Sequence, residues 1–212
     1  DIKAAPPGAE PSIEAGTEAI VFLAQSPHYR NVPEMAWHLL QVNVTTAIKT
    51  AQLAASAGVK RFIYASTGSV YAPSFEPLAE SAPLRRDNWY ALSKVHAEEA
   101  LHLFRDRLDL TIVRPFGLYG PGQVNMMVPN LLAAVKEGKP IFLEPKALGA
   151  PDDEGRRISL CYVDDAVEIL TALLLRSGPG VLNIAGEHGI SIARLADDVT
   201  AELRLMHGEQ RG

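Results

Sequence analysis

Short apolar runs alternate along this chain with longer segments in which apolar residues recur every three or four positions. Glu18-Ala-Ile-Val-Phe-Leu-Ala24 is a run of the first kind, bounded by polar residues, and predicts a strand buried on both faces. Pro33 opens a helical segment through Ser56 with Leu39, Leu40, Val42, Ile48 and Leu53 at its apolar positions, and Gly58 ends it. Phe62-Ile-Tyr64 and Leu110 to Pro115 read as further strands, with a helix carrying Tyr90 and running to about Arg107 between them. Beyond these, the pattern predicts a helix over Val128 to Glu137 and short strands at Ile141 to Leu143 and Arg157 to Tyr162. A helix then begins at Val163-Asp-Asp165 with a stripe of Val167, Leu170, Leu173 and Leu174. A strand follows over Val181 to Ala185, and Ser191 caps a last helix bearing Ile192, Leu195, Val199 and Leu203. Residues 3–17, rich in Pro, Gly, Ala and Glu, read as a loop. Strands alternating with helices of these lengths indicate βαβ units around a parallel sheet, an α/β fold.

Composition narrows the function classes. The 212 residues suffice for one domain with a sizeable core, and 47% hydrophobic with 21% charged residues is ordinary for a soluble globular protein. A formal charge of −5 with scattered Lys and Arg leaves no basic footprint for nucleic acid. No apolar stretch is long enough to span a bilayer, so no membrane partner is expected. Cys161, the single cysteine, excludes an internal disulfide, suits a reducing cytoplasmic setting and reads as a core thiol. The histidines lack the HExxH spacing of a zinc site, so no metal is expected.

The chemistry-bearing pattern is Trp89-Tyr-Ala-Leu-Ser-Lys94. Tyr90 and Lys94, four residues apart, project from one face of a helix, and an adjacent ammonium favours a phenolate. By itself the pair does not distinguish a proton-transfer group from a partly buried aromatic beside a solvated lysine. Two other features fall at strand carboxyl ends, where ligands bind in open α/β sheets. Thr67 closes Arg61-Phe-Ile-Tyr-Ala-Ser-Thr67 with a hydroxyl that can donate to a substrate oxygen, or equally cap a turn. Arg114-Pro-Phe-Gly-Leu-Tyr-Gly-Pro-Gly122 places a tight irregular loop directly after a buried strand.

With these motifs in order, the chain resembles the extended short-chain dehydrogenase/reductase family, in particular its NAD-dependent nucleotide-sugar epimerases and dehydratases. Leu23-Ala24, Ala57 to Thr67, Val70-Tyr71, Tyr90 to Lys94, Arg114 to Gly122, Tyr162-Val-Asp-Asp165 and Asn183-Ile184 carry the resemblance over nearly the whole chain. It implies a Rossmann-like, doubly wound parallel sheet. Residues 1–120 and 162–187 would form an incomplete dinucleotide-binding domain, and residues 121–161 and 188–212 part of a small C-terminal substrate lobe. Tyr90 would be the proton-transfer group, Lys94 would hold the nicotinamide ribose and lower the Tyr90 pKa, and Thr67 would bond the reacting oxygen. Asp1, Ile2, Leu23, Ala24, Asn43, Pro115 and Phe116 would line the cofactor; Asn43 is equally readable as an exposed helix residue. Arg157 would contact substrate phosphate, or stand as a surface arginine. The implied cofactor is NAD, with NADP left open, the substrate a nucleotide sugar, and the assembly a homodimer.

Departures from the family pattern leave other readings open. No Gly-x-x-Gly-x-x-Gly turn occurs, so the chain is expected to start some way into the fold and lack its N-terminal βαβ unit. Gly117 stands where many members carry Asn, Ile158 where many carry Arg, and Gln25 replaces a common second Ala after Leu23-Ala24. A carbonyl reductase of the same superfamily, a non-catalytic dinucleotide-sensing module and an inactive fragment are the alternatives.

Overall fold

The computed structural model describes residues 12–72, 74, 76–142 and 157–208, with the side chains of the last segment described through residue 201. In chain order the elements are strand β1 (Ala19–Phe22), helix α1 (Ala36–Leu40), a π-helical turn (Gln41–Thr46), α2 (Ala47–Ser56) and β2 (Arg61–Ala65). After a 3-10 turn (Gly68–Val70) come α3 (Trp89–His102), β3 (Asp109–Pro115), β4 (Leu118–Tyr119) and α4 (Met127–Lys136). The chain finishes with β5 (Arg157–Ser159), β6 (Cys161–Tyr162), α5 (Val163–Leu175), β7 (Val181–Ile184), β8 (Gly189–Ser191) and α6 (Ile192–Gly208).

Two compact units result: one from Asp1–Pro115 with Val167–Ile184, the other from Phe116–Ala166 with Ala185–Gly212. The first is built on an all-parallel sheet in the order β1-β2-β3-β7, with Ile63 of β2 aligned to Val21 and to Thr111. Side chains of alternating residues point to opposite faces. Phe22, Phe62, Tyr64, Leu110 and Ile112 pack with Ala47, Ala51 and Ala54 of α2 and Ala97 and Leu101 of α3. Phe22 stacks on Phe62 and Tyr64 at 6.3 and 5.9 Å. On the other face Thr111 lies beside Leu173 of α5, close enough that a side chain at Gly178 would collide with both. Helices therefore cover both faces, which makes the sheet doubly wound.

The second unit contains a parallel pair, β4 with β6, and an antiparallel pair, β5 with β8. The Ser191 hydroxyl caps α6 by accepting from Arg194 N at 3.1 Å, as its sequence predicts.

Several expectations need correction. β1 is half-buried except at Phe22, because it has a strand neighbour on one side only among the described residues. The predicted helix over Pro33–Ser56 starts regular structure at Ala36 and is interrupted by the π-helical turn. Its buried positions are Leu39, Asn43, Ala47, Thr50, Ala51 and Ala54, so small residues rather than Val42, Ile48 and Leu53 face the sheet. The α3 helix stops at His102, five residues early, and a run of turns reaches β3. Ile141 and Phe142 are not in a strand, and Leu143 lies outside the described residues. Residues 157–162 form two short strands instead of one, and Val167 is exposed on α5.

Candidate active site

Asn88 starts the central helix of the site. Its side chain accepts from Ala91 N at 2.9 Å, which fixes the first turn of α3 and with it Tyr90. One turn on, Lys94 is 1% exposed. Its ammonium donates to the Ala65 carbonyl at 2.8 Å and lies 5.1 Å from the centre of the Tyr64 ring. Ala65 is the last residue of β2, so this bond ties the lysine to the carboxyl end of that strand, two residues before Thr67.

Around the Tyr90 hydroxyl, residues from three segments converge. The phenol donates to Gln25 Oε1 at 2.9 Å, and its ring lies 5.4 Å from that of Tyr29. The Thr67 hydroxyl is a further hydrogen-bond partner, and the same oxygen accepts from Ser69 N at 3.1 Å. Thr67 is thus a turn cap whose hydroxyl also acts on the Tyr90 phenol. Gln25 lies on the loop after β1, beyond the exposed Leu23 and Ala24.

Beneath these groups runs a buried polar relay. Asn43, at 0% exposure, accepts from Ser26 N through its side-chain oxygen at 3.0 Å and donates to Ser93 Oγ at 3.0 Å. The Ser93 hydroxyl donates in turn to the Tyr90 carbonyl at 2.8 Å. The Asn43 carbonyl accepts from the Tyr64 hydroxyl at 3.3 Å. Asn43 is therefore no exposed helix residue: from the π-helical turn it links the loop after β1 to α3. Wide turns of this kind occur frequently at functional sites.

The expected electrostatic coupling between Tyr90 and Lys94 is not what governs the tyrosine. Burial raises the Tyr90 pKa above its ordinary value, the Thr67 hydrogen bond opposes this, and Tyr29 adds a smaller upward push. Lys94 directs its ammonium at Ala65 and Tyr64. Burial brings the lysine down to about 8 against an opposing upward pull from Glu98. At neutral pH the phenol is therefore a proton donor and the ammonium is charged.

The remaining expected positions are dispersed. Pro115 ends β3 in register with Ile184 of β7, half-buried, and Phe116 opens the second unit. Arg157 belongs to that second unit, where it donates to the Gly189 carbonyl at 3.1 Å. Asp1 and Ile2 lie outside the described residues. At Gly117 the backbone is left-handed (φ 44°), and an added Cβ would run into the Ser159 carbonyl oxygen. Glycine is required there, which accounts for the absence of the Asn common in the family.

A further layer was not anticipated from the sequence: Glu98, buried, is held by Arg114 through two hydrogen bonds, Nη2 to Oε2 at 2.6 Å and Nε to Oε1 at 3.1 Å. Its position four residues after Lys94 repeats the Tyr90–Lys94 spacing, and that repeat was the available signal. Cys161 is buried with its thiol pKa raised by that burial, as expected of a core thiol. Among the described residues no group of three metal-ligating side chains occurs, and no helix is long and apolar enough to cross a membrane.

A four-stranded parallel sheet with helices on both faces defines a Rossmann-like, doubly wound fold. Residues 10–185 match the sequence profile of the NAD dependent epimerase/dehydratase family, and the chain belongs to that family. Among its relatives, a UDP-glucuronate 4-epimerase of Thermodesulfobacterium geofontis is 29% identical over 84% of this chain and 55% of its own length. The dTDP-D-glucose 4,6-dehydratase of Mus musculus is 27% identical over 82% of this chain and 48% of its own. The chain thus spans about half the length of these curated relatives. The structure of MoeE5 in complex with UDP-glucose and NAD superposes with a TM-score of 0.72 at 26% identity, covering 88% of this chain and 62% of MoeE5.

Proposed function

We propose that this protein is the catalytic part of an NAD-dependent epimerase or dehydratase acting on a nucleotide-activated sugar through a transient keto intermediate. The observation that carries the reading is the meeting of Tyr90, Thr67 and Gln25 at the ends of parallel strands, above a lysine buried at their base. The first unit is read as the dinucleotide-binding domain, and the second as part of the substrate lobe.

The residues present suit the nicotinamide end of NAD. An ammonium has three donors, and Lys94 uses one on Ala65, so two remain for ribose hydroxyls. Tyr90 would hold the same ribose region, Asn43 would fix the relay beneath it, and Leu23, Ala24, Pro115 and Phe116 would line the ring. No glycine-rich turn among these 212 residues serves the pyrophosphate. When bound, NAD supplies reversible hydride acceptance from the sugar carbon.

The protein's own residues then orient the sugar and move one proton. Thr67 hydrogen-bonds the reacting oxygen, and Tyr90 exchanges the hydroxyl proton as that carbon is oxidised and later reduced. Substrate entry replaces Gln25 as the partner of the phenol. Arg157 would serve substrate phosphate, a role suited to a guanidinium. The single buried thiol suits a cytoplasmic setting, and a homodimer is the assembly this reading implies.

Tyr90→Phe in the intact enzyme is expected to reduce sugar turnover by at least about 10²-fold while leaving dinucleotide binding nearly unchanged. Turnover at constant NADH absorbance identifies the epimerase or dehydratase, whereas net NADH consumption identifies a reductase. Turnover near wild type in the Phe variant would sink the assignment.

A further inference from the structure

Tyr90, Lys94 and Glu98 follow one another at four-residue intervals along a single face of α3. The first two belong to the site proposed above; the third reaches neither the site nor solvent. Glu98 and Arg114 each leave only 5% of their side chains exposed. Arg114 grips both carboxylate oxygens, and the Ser66 hydroxyl donates to Oε1 as well. Ser66 stands between Ala65, which takes the Lys94 ammonium, and Thr67; Arg114 directly precedes Pro115. One carboxylate therefore joins the helix bearing Tyr90 to the two strand ends bearing Thr67 and Pro115.

The charges around the lysine are equally specific. Facing Lys94 are Tyr90 and Glu98 on its own helix and Tyr64 on β2, with Arg114 of β3 behind Glu98. Tyr64 is held as a neutral phenol, its pKa raised by burial and then by Glu98, so it offers no anion. Tyr90 is also a protonated phenol at neutral pH. Glu98 is thus the anion in this set: it is ion-paired to Arg114, which does not deprotonate, and it pulls the Lys94 pKa upward from one helical turn away without a direct ion pair.

We propose that Glu98 is a positioning residue for the site, whose carboxylate, clamped by Arg114 and Ser66, both sets α3 against the ends of β2 and β3 and keeps the Lys94 ammonium charged. Its significance rests on the role of Lys94 read above. Removing the carboxylate leaves Arg114 with the Tyr71 hydroxyl, the Glu80 carbonyl and the Glu80 charge, but takes from Lys94 the anion that raises its pKa, and the lysine can relieve that by losing its proton. A merely structural Glu98 would act in the opposite sense. Loosening α3 would admit water to Lys94 and return it toward the ordinary lysine value near 10.4.

The test is a ¹³C NMR titration of the lysine Cε resonances in the 212-residue protein without cofactor or substrate, with Lys94→Arg identifying the Lys94 signal. Wild type is expected to titrate at about 8. Glu98→Gln should move the Lys94 midpoint below that of wild type. An unchanged midpoint, or one rising toward the ordinary lysine value, overturns the proposal. The double variant Glu98→Gln/Arg114→Met leaves no unpaired charge at the clamp and decides the matter should Glu98→Gln not fold. Its Lys94 midpoint should also fall below wild type, and no fall overturns the proposal. Because no turnover is measured, failure here is distinct from failure of the Tyr90→Phe test.

Discussion

Helices α2 and α3 lie side by side on one face of the sheet and share a hydrophobic cluster, yet they bury different kinds of surface. The α2 helix presents Ala47, Thr50, Ala51 and Ala54 to the strands, so its fit is a matter of volume and close approach. On α3, Ser93, Lys94 and Glu98 are buried between Ala91, Val95, Ala97 and Leu101. Charge taken from water is costly unless it finds partners, and those of α3 come from β2, β3 and the turn after β2. Hydrophobic periodicity can place a helix like α2. A helix like α3 is placed as much by the polar groups that its neighbours hold ready.

The comparison can be broken most forcefully at Arg114. Arg114→Met strands the Glu98 carboxylate and should cost about 3–5 kcal/mol of unfolding free energy, measured by urea denaturation at neutral pH. A smaller loss, of the size typical of a surface ion pair, would mean that water reaches the clamp.

Next in size is a pH effect confined to α3. Lys94 holds its proton less tightly in the folded protein, at about 8, than in the unfolded chain, at 10.5. Below pH 8 both states carry the proton, and the folded state bears the cost of a buried charge. Between about 8 and 10.5 the unfolded chain binds more protons, so stability should rise with pH across that window relative to Lys94→Met. The full difference is on the order of 3 kcal/mol. Parallel stability curves for the two proteins over this range would contradict it.

The smallest effect belongs to α2. Ala51→Leu overfills the close contact with the sheet and should cost about 1–3 kcal/mol, with little dependence on pH. The same measurement on both helices then separates a volume fault from a charge fault.

Much of this architecture was readable from local pattern. The four strands of the main sheet are apolar runs between turn residues, and Gly58 and Ser191 mark helix ends through their own backbone or side-chain chemistry. The π-helical turn was less visible. Its Val, Asn and Thr residues are weak helix formers, but low propensity does not say which wider turn replaces the regular one. Tyr90 and Lys94 were found by spacing, whereas the direction of the Lys94 ammonium was not, because it depends on the Ala65 carbonyl, 29 positions away in the chain. Glu98 and Arg114 were hidden for the same reason: a charged residue in an amphipathic helix reads as solvated until its strand partner is known. Gln25 was noticed as a substitution, but its bond to the phenol depends on a contact across 65 positions.

Gly117 has a bearing on protein engineering. Importing the Asn that many family members carry there is an obvious way to retune substrate choice toward theirs. In this chain the Ser159 carbonyl already fills the space that the new side chain would enter, and the Gly117 carbonyl accepts from Cys161 N at 3.2 Å. A graft at 117 would have to remodel residues 159–161 with it, so the route from this sequence toward its relatives passes through paired changes and not a single exchange.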